Sequence, residues 1–306
     1  MKIIGDLEQL HITEPTAVAI GKFDGVHAGH RMLLDTVLTG KKRGLKTAVF
    51  TFEPSPTIVF GNGNGKILMT RMEKREMFEQ MGIDYLVEYP LNARTASVEP
   101  QRFIRTYLVS AMNAKLIVAG KDLSYGDRGR GDFVLLNSLK DELGYETVMI
   151  EKICMDGEEI SSSRIRALIE EGNVKLAQRY LGEPYFIRGT VVHGAQLGRN
   201  IGIPTVNLIP ATEKLLPPFG VYYSEVLLDG IRYPGMTNIG RKPTVNQGKD
   251  ITVETYLYDY SGNVYGKKIV VCLRSFRRKE QKFEDITQLK AQMQMDIEAG
   301  RQYFHL

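Results

Sequence analysis

The sequence predicts two domains of different classes: a parallel α/β domain, followed by a small antiparallel β-barrel that ends in a helix. In the first half, apolar strand-like runs alternate with segments of helical periodicity, which is typical of a parallel sheet with connecting helices. In the second half, short segments rich in Val, Ile, Tyr and Thr are separated by turn signals, which favours an antiparallel barrel. The 306 residues also accommodate two domains of roughly 150 residues each.

The first half contains four predicted strands with predicted helices between them. The strands lie at 16–21, 46–52, 115–120 and 146–151, and the helices at 72–82 and 99–113. A further helix is expected after the first strand, with Met32, Leu33, Val37 and Leu38 on its apolar side. The segment 51–56 ends its strand with two prolines, so we expect a loop at the carboxyl edge, where open α/β sheets bind ligands.

The domain boundary is predicted at Leu181-Gly182-Glu183-Pro184, which ends a helix predicted over 174–181. The predicted domains are therefore residues 1–182 and 185–306. Strands of the second domain are predicted at 185–192, 221–228, 231–236, 251–259 and 267–275. Asp229-Gly230 is a strong hairpin signal. The last helix is predicted over 285–304, with core-facing positions at Ile286, Leu289, Met293 and Ile297.

Composition excludes several classes of protein. The net charge of +4, from 40 basic and 36 acidic residues, is too small for a nucleic-acid-binding surface. Cys154 and Cys272 are far apart and match no metal-site spacing, which is typical of a reduced, cytoplasmic protein. The N-terminus has no apolar signal core, and no apolar run approaches the ~18 residues of a membrane span. We expect a cytoplasmic protein without nucleic-acid or membrane partners, and the sequence makes no prediction of oligomeric state.

The first candidate site is His27-Ala28-Gly29-His30, between the first predicted strand and its helix. Backbone N–H groups and the helix dipole favour an anion at such a turn, and imidazoles there can donate hydrogen bonds to phosphate oxygens. Gly29 lets a nucleotide come close to the backbone. The sequence therefore predicts that an ATP phosphate is held and displaced here. The alternative is a structural turn whose histidines cap the helix or lie in solvent.

The second candidate site is Ser161-Ser162-Ser163-Arg164-Ile165-Arg166, where another helix is expected to begin. Serines before an apolar run are ordinary N-cap residues. Three hydroxyls and two guanidinium groups at one helix start also form a clamp for a polyphosphate, because arginine offers forked donors. Both interpretations stay open from this segment alone.

Together the two segments resemble the nucleotidyltransferase superfamily, whose signature is His-x-Gly-His with a downstream Ser-Ser-Thr/Ser-x-Ile-Arg. The longer stretch Gly-x-Phe-Asp-Gly-Val-His-x-Gly-His is similar to the adenylyltransferase half of bacterial bifunctional riboflavin kinase/FAD synthetases, and the resemblance covers nearly the whole chain. It implies a nucleotidyltransferase-type α/β domain that adenylylates FMN to FAD and releases pyrophosphate, with His27 and His30 as catalytic residues. The ATP- and phosphate-binding residues that it implies are Gly21, Phe23, Asp24, Gly29, Ser162, Ser163 and Arg166.

The third candidate site is Gly198-Arg199-Asn200-Ile201-Gly202-Ile203-Pro204-Thr205-Val206-Asn207 in the second domain. Its glycines and proline shape a loop, and Thr205 and Asn207 then offer oxygen ligands of the kind that Mg²⁺ prefers. The alternative is an ordinary barrel loop. The segment resembles the Pro-Thr-Ala-Asn motif of riboflavin kinases, with Val206 in place of alanine.

Two further segments match the riboflavin kinase family, at 238–244 and 253–256. The resemblance implies phosphorylation of riboflavin to FMN with Mg-ATP. It places Thr205 and Asn207 at the metal and Gly198 and Gly202 at ATP. Glu254 would take the proton from the riboflavin 5′-hydroxyl as general base. A solvated surface glutamate is the alternative for Glu254.

Several positions depart from the family motifs on the expected flavin side of the first domain. Lys22 stands where asparagine is common, and Ser55 stands where Pro-His-Pro is common. A more aromatic Asp-Phe-x-Phe-Gly loop is replaced at Lys121, Leu123, Ser124 and Tyr125. The phosphate-handling residues are intact, so we expect adenylyl transfer to be retained with altered flavin affinity or preference. The candidate flavin-binding residues are Ser55, Asp122 and Arg274.

The leading hypothesis is therefore a two-module enzyme that uses Mg²⁺ and ATP and takes riboflavin, FMN and FAD as substrates or products. One alternative retains a single activity and would turn over either riboflavin or FMN. The other is a non-catalytic flavin- or nucleotide-binding regulator, which would bind without turnover. The intact histidine, serine and glutamate sets favour the enzyme.

Overall fold

The computed structural model describes residues 1–60, 65–194, 198, 201–241 and 251–306 of the chain. It consists of two compact units, Met1–Arg164 and Ile165–Leu306. The first contains a parallel sheet and the second a closed antiparallel barrel, which confirms the predicted fold class. Residues 165–181 cluster with the barrel rather than with the sheet. The predicted domain boundary at 182–185 stays a prediction.

The first unit is built on a six-stranded sheet in which all neighbouring strands are parallel. The strands are β1 (Lys2–Ile4), β2 (Thr16–Ile20), β3 (Lys46–Glu53), β4 (Tyr85–Pro90), β5 (Ala114–Gly120) and β6 (Glu146–Ile150). Their order across the sheet is β1-β4-β3-β2-β5-β6. All five residues of β2 are buried, as expected for a parallel strand that is covered on both faces. The buried strand therefore holds the first residue of the following turn in place.

Helices connect these strands. They are α1 (Ala28–Thr39), α2 (Pro56–Phe60), α3 (Arg71–Gln80), α4 (Ala93–Ala96), α5 (Pro100–Phe103), α6 (Phe133–Ser138) and α7 (Lys140–Leu143). The predicted helix 99–113 is present, but α5 continues as a π-helix over Ile104–Ala111. A short antiparallel pair, β7 (Cys154–Met155) and β8 (Glu158–Glu159), follows the sheet.

Two strands of the sheet, β1 and β4, are absent from the sequence prediction. The first has only three residues, too few for a periodic pattern. The second contains Glu88, which is only 3% exposed and interrupts the apolar run. Its carboxylate accepts hydrogen bonds from Arg71 and Arg75 at 2.5–2.9 Å. Two guanidinium groups thus compensate the burial of this charge, which the local sequence pattern does not reveal.

The second unit contains a closed six-stranded barrel with helices before and after it. The strands are β9 (Phe186–Val192), β10 (Val206–Leu208), β11 (Gly220–Leu228), β12 (Ile231–Arg241), β13 (Ile251–Leu257) and β14 (Lys268–Lys279), closed in the order β10-β13-β12-β11-β14-β9. Helices α8 (Ser162–Glu170) and α9 (Val174–Leu181) precede the barrel, and α10 (Ile286–Phe304) follows it. The predicted hairpin is present, since Asp229 and Gly230 join β11 to β12 with φ angles of 50° and 83°, as a type I′ turn requires.

A chain of buried hydroxyls crosses three barrel strands. Ser224 Oγ lies 2.7 Å from Thr237 Oγ1, which lies 2.8 Å from Thr255 Oγ1. All three side chains are fully buried, so their mutual hydrogen bonds offset the cost of removing them from water. Thr255 lies on the same face of β13 as Val253 and Leu257, which leaves Glu254 on the other face.

The terminal helix α10 differs from the predicted apolar stripe. Ile286 is 51% exposed, and Ile297 packs against the small cluster of Val221, Met236 and Tyr258. The helix is also attached by polar contacts: Asp296 is 4% exposed and accepts hydrogen bonds from Arg277 and Arg278 of β14. The prediction for Ile286 is wrong because this helix is anchored near its C-terminal half, and the first turn stays in solvent.

We expect Asp296→Ala to destabilise the protein by about 3–5 kcal/mol, because it leaves two partly buried guanidinium groups without their carboxylate. Urea unfolding followed by circular dichroism measures the effect. Glu298→Ala, which removes an exposed carboxylate from the same helix, is the control and should stay within about 0.5 kcal/mol of the parent. Equal stability of the two variants would contradict this role of Asp296.

Candidate active sites

The first candidate site begins with the turn between β2 and α1. Phe23, Gly25 and Val26 have positive φ angles of 50°, 86° and 32°, and the buried Phe23 ring packs edge-on against Phe78. The turn leads directly into α1, for which His27 is the N-cap residue. The His27 side chain makes no capping hydrogen bond. Helix capping therefore does not explain this histidine.

The two histidines form a stacked pair. The ring centroids of His27 and His30 are 3.9 Å apart, with an interplanar angle of 24°. Burial lowers the pKa of His27 to about 4. Burial also lowers the pKa of His30 well below its usual value. Repulsion by a protonated His27 lowers the pKa of His30 further. Near pH 7 both imidazoles are neutral, so the pair can hydrogen-bond a ligand but contributes no positive charge.

Both histidines also carry a ring nitrogen that lacks a partner. The Nδ1 atoms of His27 and His30 are buried and make no hydrogen bond with any described residue. Buried polar atoms are normally hydrogen-bonded, so an unsatisfied pair at a helix N-terminus indicates a ligand site. A Cβ atom on Gly29 would lie 3.3 Å from the His27 ring. Glycine therefore leaves the space that keeps this pair accessible.

Asp24 joins the turn to two other segments. Its carboxylate oxygen Oδ1 accepts hydrogen bonds from the backbone N–H groups of Leu68 (2.8 Å) and Met69 (3.2 Å). Its backbone carbonyl accepts a hydrogen bond from Ser162 Oγ at 2.7 Å. The side chain is 5% exposed. Asp24 thus fixes the turn against the segment before α3 and against the first residue of α8.

A cleft of about 220 Å³ opens at the carboxyl edge of the parallel sheet. It is lined by residues of the turn, of the β5 and β6 ends, and of the serine segment, among them Gly21, Lys22, His27, Gly29, His30, Asp122, Lys152, Ser162 and Ser163. Hydroxyls, imidazoles and a helix N-terminus therefore converge on one space. Such a combination binds phosphate groups.

The second candidate site is a row of polar side chains across the barrel. Asn207 of β10 lies opposite Glu254 of β13, and Glu254 lies opposite Asn238 of β12. Directly opposite residues of antiparallel strands share a face, so the three side chains are neighbours. Asn207 is buried and Glu254 is half-buried. Glu254 is therefore not the fully solvated glutamate of the alternative interpretation.

The loop before β10 is shaped by Gly198. Its carbonyl accepts hydrogen bonds from the N–H groups of Ile201 (3.3 Å) and Ile203 (2.7 Å). A Cβ atom at this position would overlap the Ile203 carbonyl oxygen, and Gly202 has a φ angle of 79°. Both positions therefore require glycine. Residues 199–200 of this motif, and residues 242–244 of the segment 238–244, lie outside the described residues.

The loop borders a cavity of about 1060 Å³. Gly202 and Thr205 line it, together with His193 and Tyr265, whose rings stack with centroids 3.7 Å apart. Asn207 and Glu254 are not among the lining residues. Asn207 lies close to Thr205, since its Nδ2 is 3.5 Å from Thr205 Oγ1. Thr205 thus lies at the rim of the cavity, and Asn207 is its neighbour behind the rim.

The Thr205 hydroxyl at this rim and the neighbouring Asn207 amide are of the oxygen-bearing types that Mg²⁺ accepts. Mg²⁺ typically takes one or two protein oxygens and completes its shell with substrate phosphates and water. Thr205 supplies a hydroxyl and Asn207 a side-chain amide, whose Nδ2 donates to Thr205 Oγ1 at 3.5 Å. Across the described part of the chain, no three His, Cys, Asp or Glu side chains cluster as metal ligands.

The described helices include none with the length and apolarity needed to cross a bilayer.

Comparison with known proteins assigns a family to each half of the chain. Residues 9–164 match the model of the FAD synthetase family, and residues 181–304 match that of the riboflavin kinase family. A protein of Escherichia coli strain K12 named bifunctional riboflavin kinase/FMN adenylyltransferase is 38% identical over 100% of this chain and 99% of its own length. The chain belongs to the family of bifunctional riboflavin kinase/FMN adenylyltransferases.

Two further relatives span the same length. The family member of Bacillus subtilis strain 168 is 36% identical over 97% of this chain and 98% of its own. The crystal structure of a macrolide-efflux protein from Streptococcus pneumoniae is 31% identical, covers 98% of each chain and has a TM-score of 0.85. The order of an α/β domain and a barrel is thus shared over the full chain.

Some predicted site residues of this family member lie elsewhere. Phe23 is buried beneath the turn, and the Asp24 carboxylate is engaged by backbone N–H groups. Ser55 is buried at the start of α2, where its carbonyl accepts a hydrogen bond from Ile58 N–H. Arg274 of β14 forms an ion pair with Glu225 at 2.7 Å. Arg166 follows in α8, within the second unit. The roles predicted for these residues stay predictions.

Other residues at the two sites are missing from the sequence prediction. Glu151, Lys152 and Glu159 line the first cleft, and His193 and Tyr265 line the second cavity. Asn238, which completes the polar row, belongs to the segment 238–244 that the sequence named, but no role was predicted for it. Glu151 and Lys152 directly follow β6. Because ligands bind at the carboxyl ends of parallel strands, this position in the sequence could have identified them. His193 and Tyr265 are far apart in sequence, and no local sequence feature indicates that their rings stack.

We expect the protein to lose stability as the pH falls from about 6.5 towards 4, because unfolded histidines take up protons that the buried pair cannot. For His27, with its pKa lowered from 6.5 to about 4, the loss amounts to roughly 3 kcal/mol at pH 4. Urea unfolding between about pH 7 and pH 5 measures the slope. His27→Asn should flatten it, whereas His11→Asn, at an exposed histidine, should not. An unchanged slope for His27→Asn contradicts the assignment.

Proposed function

We propose that the chain makes FAD in two steps: it phosphorylates riboflavin to FMN in the barrel and adenylylates FMN to FAD in the α/β domain. The observation that carries the proposal is that each unit has its own convergence of phosphate-handling groups, the His27/His30 cleft in one and the Asn207–Glu254 row in the other. The membership of both halves in the corresponding families supports it. Free cysteines, exposed Cys154 and buried Cys272, are consistent with a cytoplasmic location.

Adenylyl transfer needs positioning and charge stabilisation rather than a covalent intermediate on the protein. The FMN phosphate attacks the α-phosphorus of ATP, the bond to the β-phosphate breaks, and pyrophosphate leaves. In the proposed roles, His27 and His30 donate hydrogen bonds to phosphate oxygens as neutral imidazoles. Ser162, Ser163 and the N-terminus of α8 hold the departing pyrophosphate. Arg166 is proposed to contact the same group.

Phosphoryl transfer in the barrel uses Glu254 as the base. Its carboxylate would accept the proton of the riboflavin 5′-hydroxyl as that oxygen attacks the γ-phosphorus of ATP. Thr205 and Asn207 would hold Mg²⁺, which neutralises phosphate charge when bound. Gly198 and Gly202 keep the loop close enough for its backbone to approach the phosphates. The substrates are small molecules in both steps.

The proposal is tested by chromatographic separation of flavins after incubation with ATP and Mg²⁺. Riboflavin should yield FMN and FAD, and a parallel reaction started from FMN should yield FAD and pyrophosphate. FMN from riboflavin with no FAD in either reaction would leave only the kinase. FAD from FMN alone would leave only the adenylyltransferase, and no product in either would favour the non-catalytic regulator.

We expect Glu254→Gln to slow FMN formation from riboflavin by about 10²–10⁴-fold, because the amide cannot take the hydroxyl proton. FAD formation from FMN should be unchanged, since it belongs to the other unit. Glu298→Gln is the matched control at an exposed position. Steady-state rates of both reactions measure the outcome, and a Glu254→Gln variant with parental kinase activity rules out the general-base role.

A further inference from the structure

The two histidines of the first cleft provide no positive charge to offset the repulsion between two anionic substrates. If the proposed adenylyl transfer occurs there, on which this inference rests, an anionic phosphate of FMN must approach an anionic triphosphate. Burial keeps the pKa values of His27 and His30 low, so the imidazoles are neutral near pH 7. The imidazoles therefore add no positive charge, and an ammonium group at the same cleft would offset part of this repulsion.

Two lysines line the cleft, and one of them is already neutralised. Lys152 Nζ lies 2.7 Å from Glu159 Oε1, and both side chains belong to the cleft wall. A third lysine, Lys121, lies beside the wall and pairs with Glu151 at 3.1 Å. These ammonium groups are thus engaged by carboxylates of the cleft itself. Each would have to leave its partner before it could bind a phosphate.

Lys22 is different, because its ammonium group makes no ion pair with any described residue. The lysine lies in the wall of the cleft, between the end of β2 and the stacked histidines. Its backbone is held in place: the Lys22 carbonyl accepts a hydrogen bond from Thr51 Oγ1 at 3.2 Å, and the Gly21 N–H donates to the Phe50 carbonyl at 3.1 Å. The backbone of Lys22 is therefore fixed, while its charged side chain is exposed to solvent.

Asp122 is the carboxylate of the cleft that could compete with a phosphate for the Lys22 ammonium group. It lines the same cleft, and its negative charge favours the protonated form of His27. It forms no ion pair with Lys22 in the structure. A phosphate entering this cleft would be attracted by the Lys22 ammonium group and repelled by the Asp122 carboxylate.

We propose that Lys22 is a substrate-binding residue of the adenylyl-transfer site, whose ammonium group contacts a phosphate of FMN or of ATP. The contact is a charge-assisted hydrogen bond between Nζ and a phosphate oxygen. Lysine suits this role because its flexible stem lets a point charge follow the phosphate as the reaction proceeds. The residue is exposed, so its replacement leaves the core intact.

The test compares Lys22→Gln with Lys22→Arg and with the control Lys121→Gln, whose lysine is already paired. Lys22→Gln should lower kcat/KM for FAD formation from FMN by about ten- to a hundredfold. Lys22→Arg should recover most of that loss, and Lys121→Gln should stay within about twofold. A rise in KM for FMN assigns the contact to the flavin phosphate, and a rise in KM for ATP assigns it to the nucleotide. Equal rates for Lys22→Gln and Lys121→Gln overturn the proposal.

A binding measurement separates this inference from the proposed function. Inorganic pyrophosphate is a product of adenylyl transfer and not of the kinase step, so its calorimetric titration reports on the first cleft. Lys22→Gln should weaken pyrophosphate or FMN binding about tenfold or more, and rising salt should remove the difference. A parent protein that forms no FAD contradicts the proposed function. A parent that forms FAD and binds both probes as tightly as Lys22→Gln contradicts only the role of Lys22.

Discussion

The hydrogen bonds of Asp24 are the interaction on which the first site depends. Its buried carboxylate accepts two backbone N–H groups from the segment before α3, and its carbonyl accepts the Ser162 hydroxyl. The histidine turn and the serine helix start are far apart in sequence, and these bonds bring them to one cleft. A carboxylate that accepts backbone donors is well suited to this task, because such bonds are stronger than neutral ones. Asp24 acts through the turn, as a positioning residue.

Burial then determines what the turn can do. The stacked imidazoles of His27 and His30 lose their charge because the ionised form is poorly solvated there. They keep the ability to hydrogen-bond, and their Nδ1 atoms have no partner among the described residues. Positive charge has to come from side chains that remain in contact with solvent. In the barrel, strand register places an amide, Asn207, directly opposite a carboxylate, Glu254.

The sequence predicted the fold where local patterns are strong and missed it where distant contacts decide. The apolar run of β2, the helix Val174–Leu181 and the Asp229-Gly230 turn follow local rules, and all are present. The strand β4 was missed because its buried Glu88 is compensated by arginines of a helix. The candidate site residues came from motifs, and two of them, His27 and Ser162, line one cleft in the structure. Motifs do not show that Asp24 faces backbone donors, since that requires the tertiary structure.

The most direct test of this account is the kinetics of FAD formation from FMN in Asp24→Ala and Asp24→Asn. An asparagine oxygen can still accept the N–H groups of Leu68 and Met69, whereas alanine cannot. If Asp24 positions the turn, Asp24→Ala should lose about 10²-fold in kcat/KM and Asp24→Asn should recover most of that activity, with riboflavin phosphorylation unaffected in both. Equal losses in the two variants would show that the charge of Asp24 acts on the substrate or its metal ion, and would contradict the account.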